Sequence, residues 1–213
     1  MRITVLGAAG NVGGRTVAEA VNRGHEVTAV VRAPGRAAAL PSAAEIRIGD
    51  VADTAAVEAL SAEADVVISA VRPEPGLEHR QAAITKALLD GVAPTGVRLL
   101  IVGGAATLTV PGSGGLALDD PRYVQPAWRA IAAASAEQHE VCRGEARVDW
   151  VYVSPPASLL PGERTGRYRL GGDELLIDER GESRISLEDF AVALVDEAES
   201  PRHTRTRFTV AAA

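Results

Sequence analysis

Arg2-Ile-Thr-Val-Leu6, running directly into Gly7-Ala-Ala-Gly10-Asn-Val-Gly13 and then Thr16-Val-Ala-Glu-Ala20, is the stretch that decides the fold of this 213-residue chain. A short β-branched run, three glycines and an Ala-rich helical segment follow one another without a break. In that context the first glycine permits a tight turn and the second lets a pyrophosphate approach the backbone. The third permits close helix–strand packing. The helix start supplies unpaired N–H groups and a partial positive charge. Gly7, Ala9, Gly10, Asn11, Val12 and Gly13 are therefore the candidate phosphate cradle.

Outward from this loop, strand-like and helix-like segments alternate. Further strands are predicted at Val27–Val31, Glu45–Ile48, Val66–Ala70, Leu99–Val102 and Trp150–Val153. They do not alternate in polarity, as expected of strands buried on both faces of a parallel sheet. Helices are predicted at Val12–Arg23, Thr54–Ala62, His79–Asp90 and Pro126–Arg143. This order predicts an α/β fold, a Rossmann-type doubly wound parallel sheet. After Pro155-Pro156 the pattern changes. Gly166–Leu170 and Leu175–Ile177 read as a hairpin about Gly171-Gly-Asp-Glu174, and a helix from Leu187 to about Glu199 opens with Ser186 and Asp189 in capping-box spacing. A last strand covers Arg207–Val210. The expected organisation is one domain, a cofactor-binding core over 1–154 with a small C-terminal substrate lobe over 155–213.

The end of the second strand speaks to the cofactor. An NAD site places Asp or Glu there for the ribose 2′-hydroxyl, whereas this strand ends in Arg32, with Arg36 close behind. An arginine suits a 2′-phosphate, so NADPH is favoured over NADH; the competing reading is an exposed arginine at a strand end. Asp50 and Val51 follow the third strand and could border the adenine. Ser69, Ala70 and Val71 offer small side chains where the adenosine half would cross the sheet; a packing role fits these positions nearly as well.

Composition narrows the partners. Apolar residues are 46% of the chain and aromatics only 3%, with a net charge of −6. Neither stacking platforms nor phosphate-backbone binding is supported, so no nucleic-acid partner is expected. No apolar run approaches the roughly 18 residues of a membrane span, and the opening residues carry no leader pattern. Cys142 is the only cysteine, which excludes an intrachain disulfide and a thiolate metal cluster; a reducing, cytoplasmic setting is expected, with no metal.

Several segments together resemble the atypical short-chain dehydrogenase/reductases, in the NAD(P)H-binding group that includes NmrA-like proteins and flavin/biliverdin reductases. They are Gly7–Gly13, Gly49-Asp50-Val51, Val102-Gly-Gly-Ala-Ala106, Ser154-Pro-Pro156, Gly162–Arg169 and Ile185–Ala191. The late segments are especially similar to bacterial proteins described as NADH–flavin reductases. The resemblance implies a Rossmann fold with NAD(P)H, and a group holding both reductases and catalytically silent redox sensors. From their places in the chain, Pro155 and Pro156, directly after the sixth strand, are expected to direct the chain over the nicotinamide side of the cleft. The connection that begins at Gly103 and Gly104, two further cofactor-binding candidates, is expected to border the nicotinamide.

The Tyr-x-x-x-Lys dyad typical of short-chain dehydrogenases, in which lysine lowers the tyrosine pKa, has no counterpart here. The single lysine, Lys86, is preceded four residues earlier by Ala82, and Tyr123, Tyr152 and Tyr168 are followed four residues on by Ala127, Pro156 and Gly172. Two residues remain as candidate catalysts. His139 shares a helical stripe with Trp128, Ala132, Ser135 and Cys142, so it is either a packed core histidine or an acid. Tyr123 lies near the end of the long connection from Gly103 to Val124, with Asp120 before it. Segment Ser158–Thr165 is expected to wall a substrate site, unless Glu163 and Arg164 pair on the surface.

Three functions fit. One is NADPH-dependent reduction of a flavin, a quinone or a similar flat conjugated small molecule, for which solvent can supply the proton. The second is a non-catalytic NADP(H)-sensing regulator. The third is an epimerase- or dehydratase-like enzyme of specialised metabolism.

Overall fold

The computed structural model describes all residues, 1–213. β1 (Arg2–Leu6), β2 (Glu26–Val31), β3 (Glu45–Ile48), β4 (Val66–Ser69), β5 (Arg98–Val102) and β6 (Trp150–Ser154) alternate with α1 (Asn11–Asn22), α2 (Thr54–Ser61), α3 (Gln81–Val92) and α4 (Arg129–Arg143). Only the β2–β3 connection lacks a helix, carrying a single 3-10 turn at Pro34–Arg36. After β6 come β7 (Ser158–Leu160), β8 (Tyr168–Gly171), β9 (Arg184–Ser186), α5 (Leu187–Glu199) and β10 (Thr206–Ala212).

The main sheet has the order β3-β2-β1-β4-β5-β6-β10-β8, parallel throughout except for β8 at one edge. It is a Rossmann-like α/β fold. Successive strands run outward from β1 to β3 and then restart at β4 on the other side of β1. A crevice opens at that reversal, outside the carboxyl ends of the strands.

One core layer lies between the sheet and α1 with α5, built from residues such as Ile3, Val5, Val17, Phe190, Leu194 and Phe208. A second lies under α2, α3 and α4, around Leu6, Val67, Leu89, Leu99 and Tyr152. The C-terminal segment therefore does not stand apart: α5 packs on α1, and β10 extends the sheet beside β6. Only the short parallel β7–β9 pair lies outside.

Three expectations need correction. Gly166–Leu170 and Leu175–Ile177 do not form a hairpin. β8 pairs antiparallel with β10, while Leu175 turns inward, 1% exposed, and its N–H donates to the Thr109 carbonyl at 2.8 Å. The free edge of β10 offers β8 a longer ladder than the Gly-rich turn could. β3 is not a buried strand; all four residues are exposed, because it is the sheet edge. Finally, the Ser186–Asp189 box is made only halfway. Ser186 Oγ accepts from the Asp189 N–H at 3.0 Å, but the Asp189 carboxylate takes up the Thr165 N–H and hydroxyl and the Gly166 N–H instead.

Candidate dinucleotide site and the residues around it

Gly7 sits at φ +77°, and a Cβ there would lie 2.8 Å from the Ala70 carbonyl oxygen. The strand reversal thus presses the loop after β1 against the end of β4, and only glycine fits. A Cβ on Gly13 would lie 2.2 Å from the Gly7 carbonyl oxygen, so α1 can start beneath the loop only if that position is bare. Gly10 is the N-cap. No side chain caps the helix and no acidic residue stands in its first turn. The N–H groups at Asn11, Val12 and Gly13 thus have no protein acceptor and face the crevice with Ala9 and Gly10 exposed beside them. A dinucleotide pyrophosphate fits this cradle on both counts, shape and uncompensated positive potential.

Around the loop, the residues expected on the adenosine side lie at or after the ends of β2, β3 and β4. Arg32 follows β2 and is exposed; its guanidinium lies 3.1 Å from Glu74 on the connection after β4. Because β2 and β4 flank β1 on opposite sides, this ion pair spans the crevice. Arg36 is exposed and makes no ion pair. Asp50 accepts from the Ala52 N–H at 3.0 Å, a local turn bond, while Val51 is buried in the second core layer. Ser69 is buried, and Ala70 and Val71 lie directly against Gly7.

The residues expected beside the nicotinamide are packed around Tyr152. A Cβ on Gly103 would lie 2.1 Å from its ring, and the Gly104 N–H donates to its hydroxyl at 3.2 Å. Tyr152 Oη in turn donates to the Ser135 carbonyl at 2.8 Å. Both glycines are thus committed to packing over a buried tyrosine, and Gly104 N–H is already spent. Pro155 is buried immediately after Ser154, whose Oγ is fully enclosed and unpartnered. That orphan hydroxyl at the carboxyl end of β6 is a candidate site residue that the residue pattern alone did not single out.

His139 lies elsewhere. Its ring packs on Tyr152, centroids 4.7 Å apart, with Thr107 Oγ1 3.4 Å from Nδ1. Burial, aided by Arg207, drops its pKa to about 4 and leaves it neutral near pH 7. It opens into a separate cleft with Trp150 and Arg205, at the amino ends of β6 and β10, away from the glycine loop. The helical stripe is only partly a core stripe: Cys142 is buried, its thiol pushed up to about 12, whereas Trp128 is 58% exposed. Tyr123 is half-buried, and its hydroxyl donates to the Gly181 carbonyl at 3.3 Å. It ties the 103–128 connection to the C-terminal segment. That connection is itself packed, with Leu108 and Val110 buried.

Segment 158–165 is held by α1 and α5. Arg164 pairs not with Glu163 but bidentately with Glu19 at 2.8 Å, its side chain remaining half exposed. Glu188 accepts from Arg15 and from the Gly162 N–H, fastening the same segment to α1.

The NAD(P)H-binding family matches residues 7–199. This chain belongs to that family. Bacillus subtilis (strain 168) YwnB, itself uncharacterized, is 35% identical over 99% of this chain and 98% of its own. A Bacteroides thetaiotaomicron structure with the provisional name of epimerase is 38% identical, with a TM-score of 0.91 over 99% of this chain and 96% of its own. A Streptococcus pneumoniae TIGR4 structure with the provisional name of NADH-flavin reductase is 31% identical, TM-score 0.89, over the whole of both chains. The chain is an oxidoreductase-like member of the NAD(P)H-binding family. No helix is long and apolar enough to cross a membrane.

Proposed function

We propose that this protein is an NADPH-dependent reductase of a flat, conjugated acceptor such as a flavin or quinone, acting in the cytoplasm. The observation that carries this reading is Trp128. The chain has seven aromatic residues, two Trp, three Tyr and two Phe. Trp150, Tyr152, Phe190 and Phe208 are buried, and Tyr123 and Tyr168 are half-buried with bonded hydroxyls. Trp128 alone stands more than half exposed, just before α4. The start of α4 lies at the rim formed by the carboxyl ends of the strands, because α4 runs back from there to β6. Ser135 of the same helix abuts Gly104, and Trp128 precedes it by two turns, about 10 Å. An exposed indole at this rim is suited to stacking a planar ring.

Bound NADPH would supply a hydride from its nicotinamide. Gly7–Gly13 and the start of α1 would hold the pyrophosphate, and Arg32 with Arg36 the 2′-phosphate. Ser154 Oγ and Pro155 would border the nicotinamide. Holding donor and acceptor rings face to face is the chief task left to the protein. With no Tyr-x-x-x-Lys pair, the acceptor must be one whose proton comes from water, which favours flavins and quinones over ketones. His139 and Tyr123 are not needed as acids on this reading.

The test follows NADPH oxidation with FMN, a soluble quinone and, as contrast, a simple ketone. Turnover of the first two, lowered about tenfold in kcat/KM by Trp128→Ala, is expected. The loss would correspond to about 1.4 kcal/mol. NADPH binding without turnover of any acceptor would replace the reductase reading with that of a cofactor-sensing protein.

A further inference from the structure

The cleft that His139 faces is lined by Arg143, Trp150, Asp173, Arg205, Thr206 and Arg207, and encloses about 400 Å³. Trp150, Arg205 and Thr206 place it at the amino ends of β6 and β10. The glycine loop lies at the carboxyl ends, so this cleft is distinct from the dinucleotide site. Three arginines meet one aspartate there, in a chain whose overall charge is −6.

The side chains form a built site. Arg207 is 7% exposed; it donates to Asp173 Oδ1 through Nε at 2.9 Å, and to Thr107 Oγ1 at 2.6 Å. Asp173 is thereby engaged by one arginine, leaving the charges of Arg143 and Arg205 uncompensated by it. Arg143 pairs only with the exposed Glu140 at 3.0 Å. Arg205 is the one non-glycine residue with a left-handed backbone, φ +46°, and its guanidinium is steadied by a bond to the Ala146 carbonyl at 3.0 Å. A non-glycine residue persists in that region only where its surroundings hold it there.

His139 supplies the decisive detail. It is 7% exposed, and Nε2 has no hydrogen-bond partner within the protein. Because Thr107 Oγ1 already accepts from Arg207, its hydroxyl proton is free to point at His139 Nδ1. A neutral imidazole accepting at Nδ1 carries its hydrogen on Nε2. The buried ring therefore presents a donor to a cleft flanked by guanidinium groups. Donors and three guanidinium groups converge against two carboxylates, Asp173 held by Arg207 and the exposed Glu140 held by Arg143. That surplus of donors and positive charge is the chemistry that recognises a phosphate group.

We propose that this cleft is a second ligand site, which binds a phosphate dianion, free or as the end of a small phosphate monoester. The volume exceeds that of phosphate alone and leaves room for a small organic stem.

The experiment is an NMR titration of the histidine ring signals with inorganic phosphate and, separately, glycerol 3-phosphate, at constant ionic strength against chloride. Saturable shifts of the His139 resonances are expected with both, tighter for the monoester if the cleft reads the stem and equal if it reads only the phosphate. Arg143→Ala with Arg205→Ala, both surface side chains, should weaken binding at least tenfold while leaving NADPH affinity unchanged. Glu140→Gln, which frees Arg143, should tighten it. Non-saturating shifts, unchanged binding in the double variant, or displacement of phosphate by NADPH would each overturn the proposal. The last would assign the phosphate to the dinucleotide site, and a failure of the reductase reading would leave these outcomes untouched.

Discussion

At the scale of single residues, the crevice is governed by what cannot be added to it. Gly13→Ala would put a methyl 2.2 Å from the Gly7 carbonyl oxygen, where backbone and not a pliable side chain must yield. Overpacking of that kind costs about 1–3 kcal/mol. It should appear as a fall in Tm together with a loss of NADPH affinity of about tenfold or more, measured by fluorescence titration. Arg32 makes the opposite kind of prediction, because its present partner Glu74 lies 3.1 Å away on an exposed ion pair worth at most about 1 kcal/mol. A 2′-phosphate would displace Glu74 readily. Arg32→Ala should weaken NADPH about tenfold or more and NADH hardly at all, whereas Glu74→Gln should strengthen NADPH slightly. Equal weakening of the two cofactors by Arg32→Ala would remove Arg32 from the 2′-phosphate site.

At the scale of elements, the start of α5 organises the segment that follows β7. Asp189 at the third helical position is 4% exposed and accepts from the Thr165 N–H at 2.8 Å, the Thr165 hydroxyl at 2.6 Å and the Gly166 N–H at 2.8 Å. Asp189→Ala would leave two backbone donors of exposed residues to water in place of a carboxylate, at a cost of about 1–3 kcal/mol. Hydrogen exchange should accelerate selectively at Thr165 and Gly166 while the β1 amides stay protected; uniform acceleration would show that Asp189 supports the whole fold instead. Ser186–Asp189 spacing announced the helix start correctly. It said nothing of where the carboxylate would turn, because that depends on a segment 23 residues earlier. The β2–β3 connection illustrates the converse: Pro34 and Gly35 discourage a helix by local sterics alone, and a single 3-10 turn is found there.

For the whole molecule, stability against acid is set by groups that join distant parts of the chain. Two arginines, first Arg164 and then Arg23, hold the Glu19 carboxyl below its ordinary value. Its contribution is present above that ordinary value and is lost as pH falls through the lower, folded one. His139 acts earlier. Burial keeps its ring neutral down to about pH 4, while the unfolded chain takes up the proton near 6.5. From pH 6.5 down to about 4 the unfolded state binds more protons, so stability declines by about 2–3 kcal/mol across that window and the loss levels off below it. Urea denaturation at a series of pH values should show this decline in the parent and a flatter profile between 6.5 and 4 in His139→Phe. Identical profiles would mean that the ring is not held neutral in the folded protein.

The residues alone determined whatever rests on short-range physics. Alternating strand and helix periods, and three glycines between one strand and one helix, sufficed for the Rossmann-like sheet and for the tight turn into α1, since the contact of Gly13 with the Gly7 carbonyl acts within a few residues. Arg32 at the end of β2 was readable for the same reason. The press of Gly7 on Ala70, by contrast, exists only in the folded sheet. Only the tertiary structure decided which edge β8 would take, that Arg164 would reach Glu19 across 145 positions, and that His139 would share a cleft with Arg207 instead of facing the cofactor. Those outcomes depend on the order of strands in the sheet and the facing of side chains across it, for which nearest neighbours in sequence carry no energetic signature.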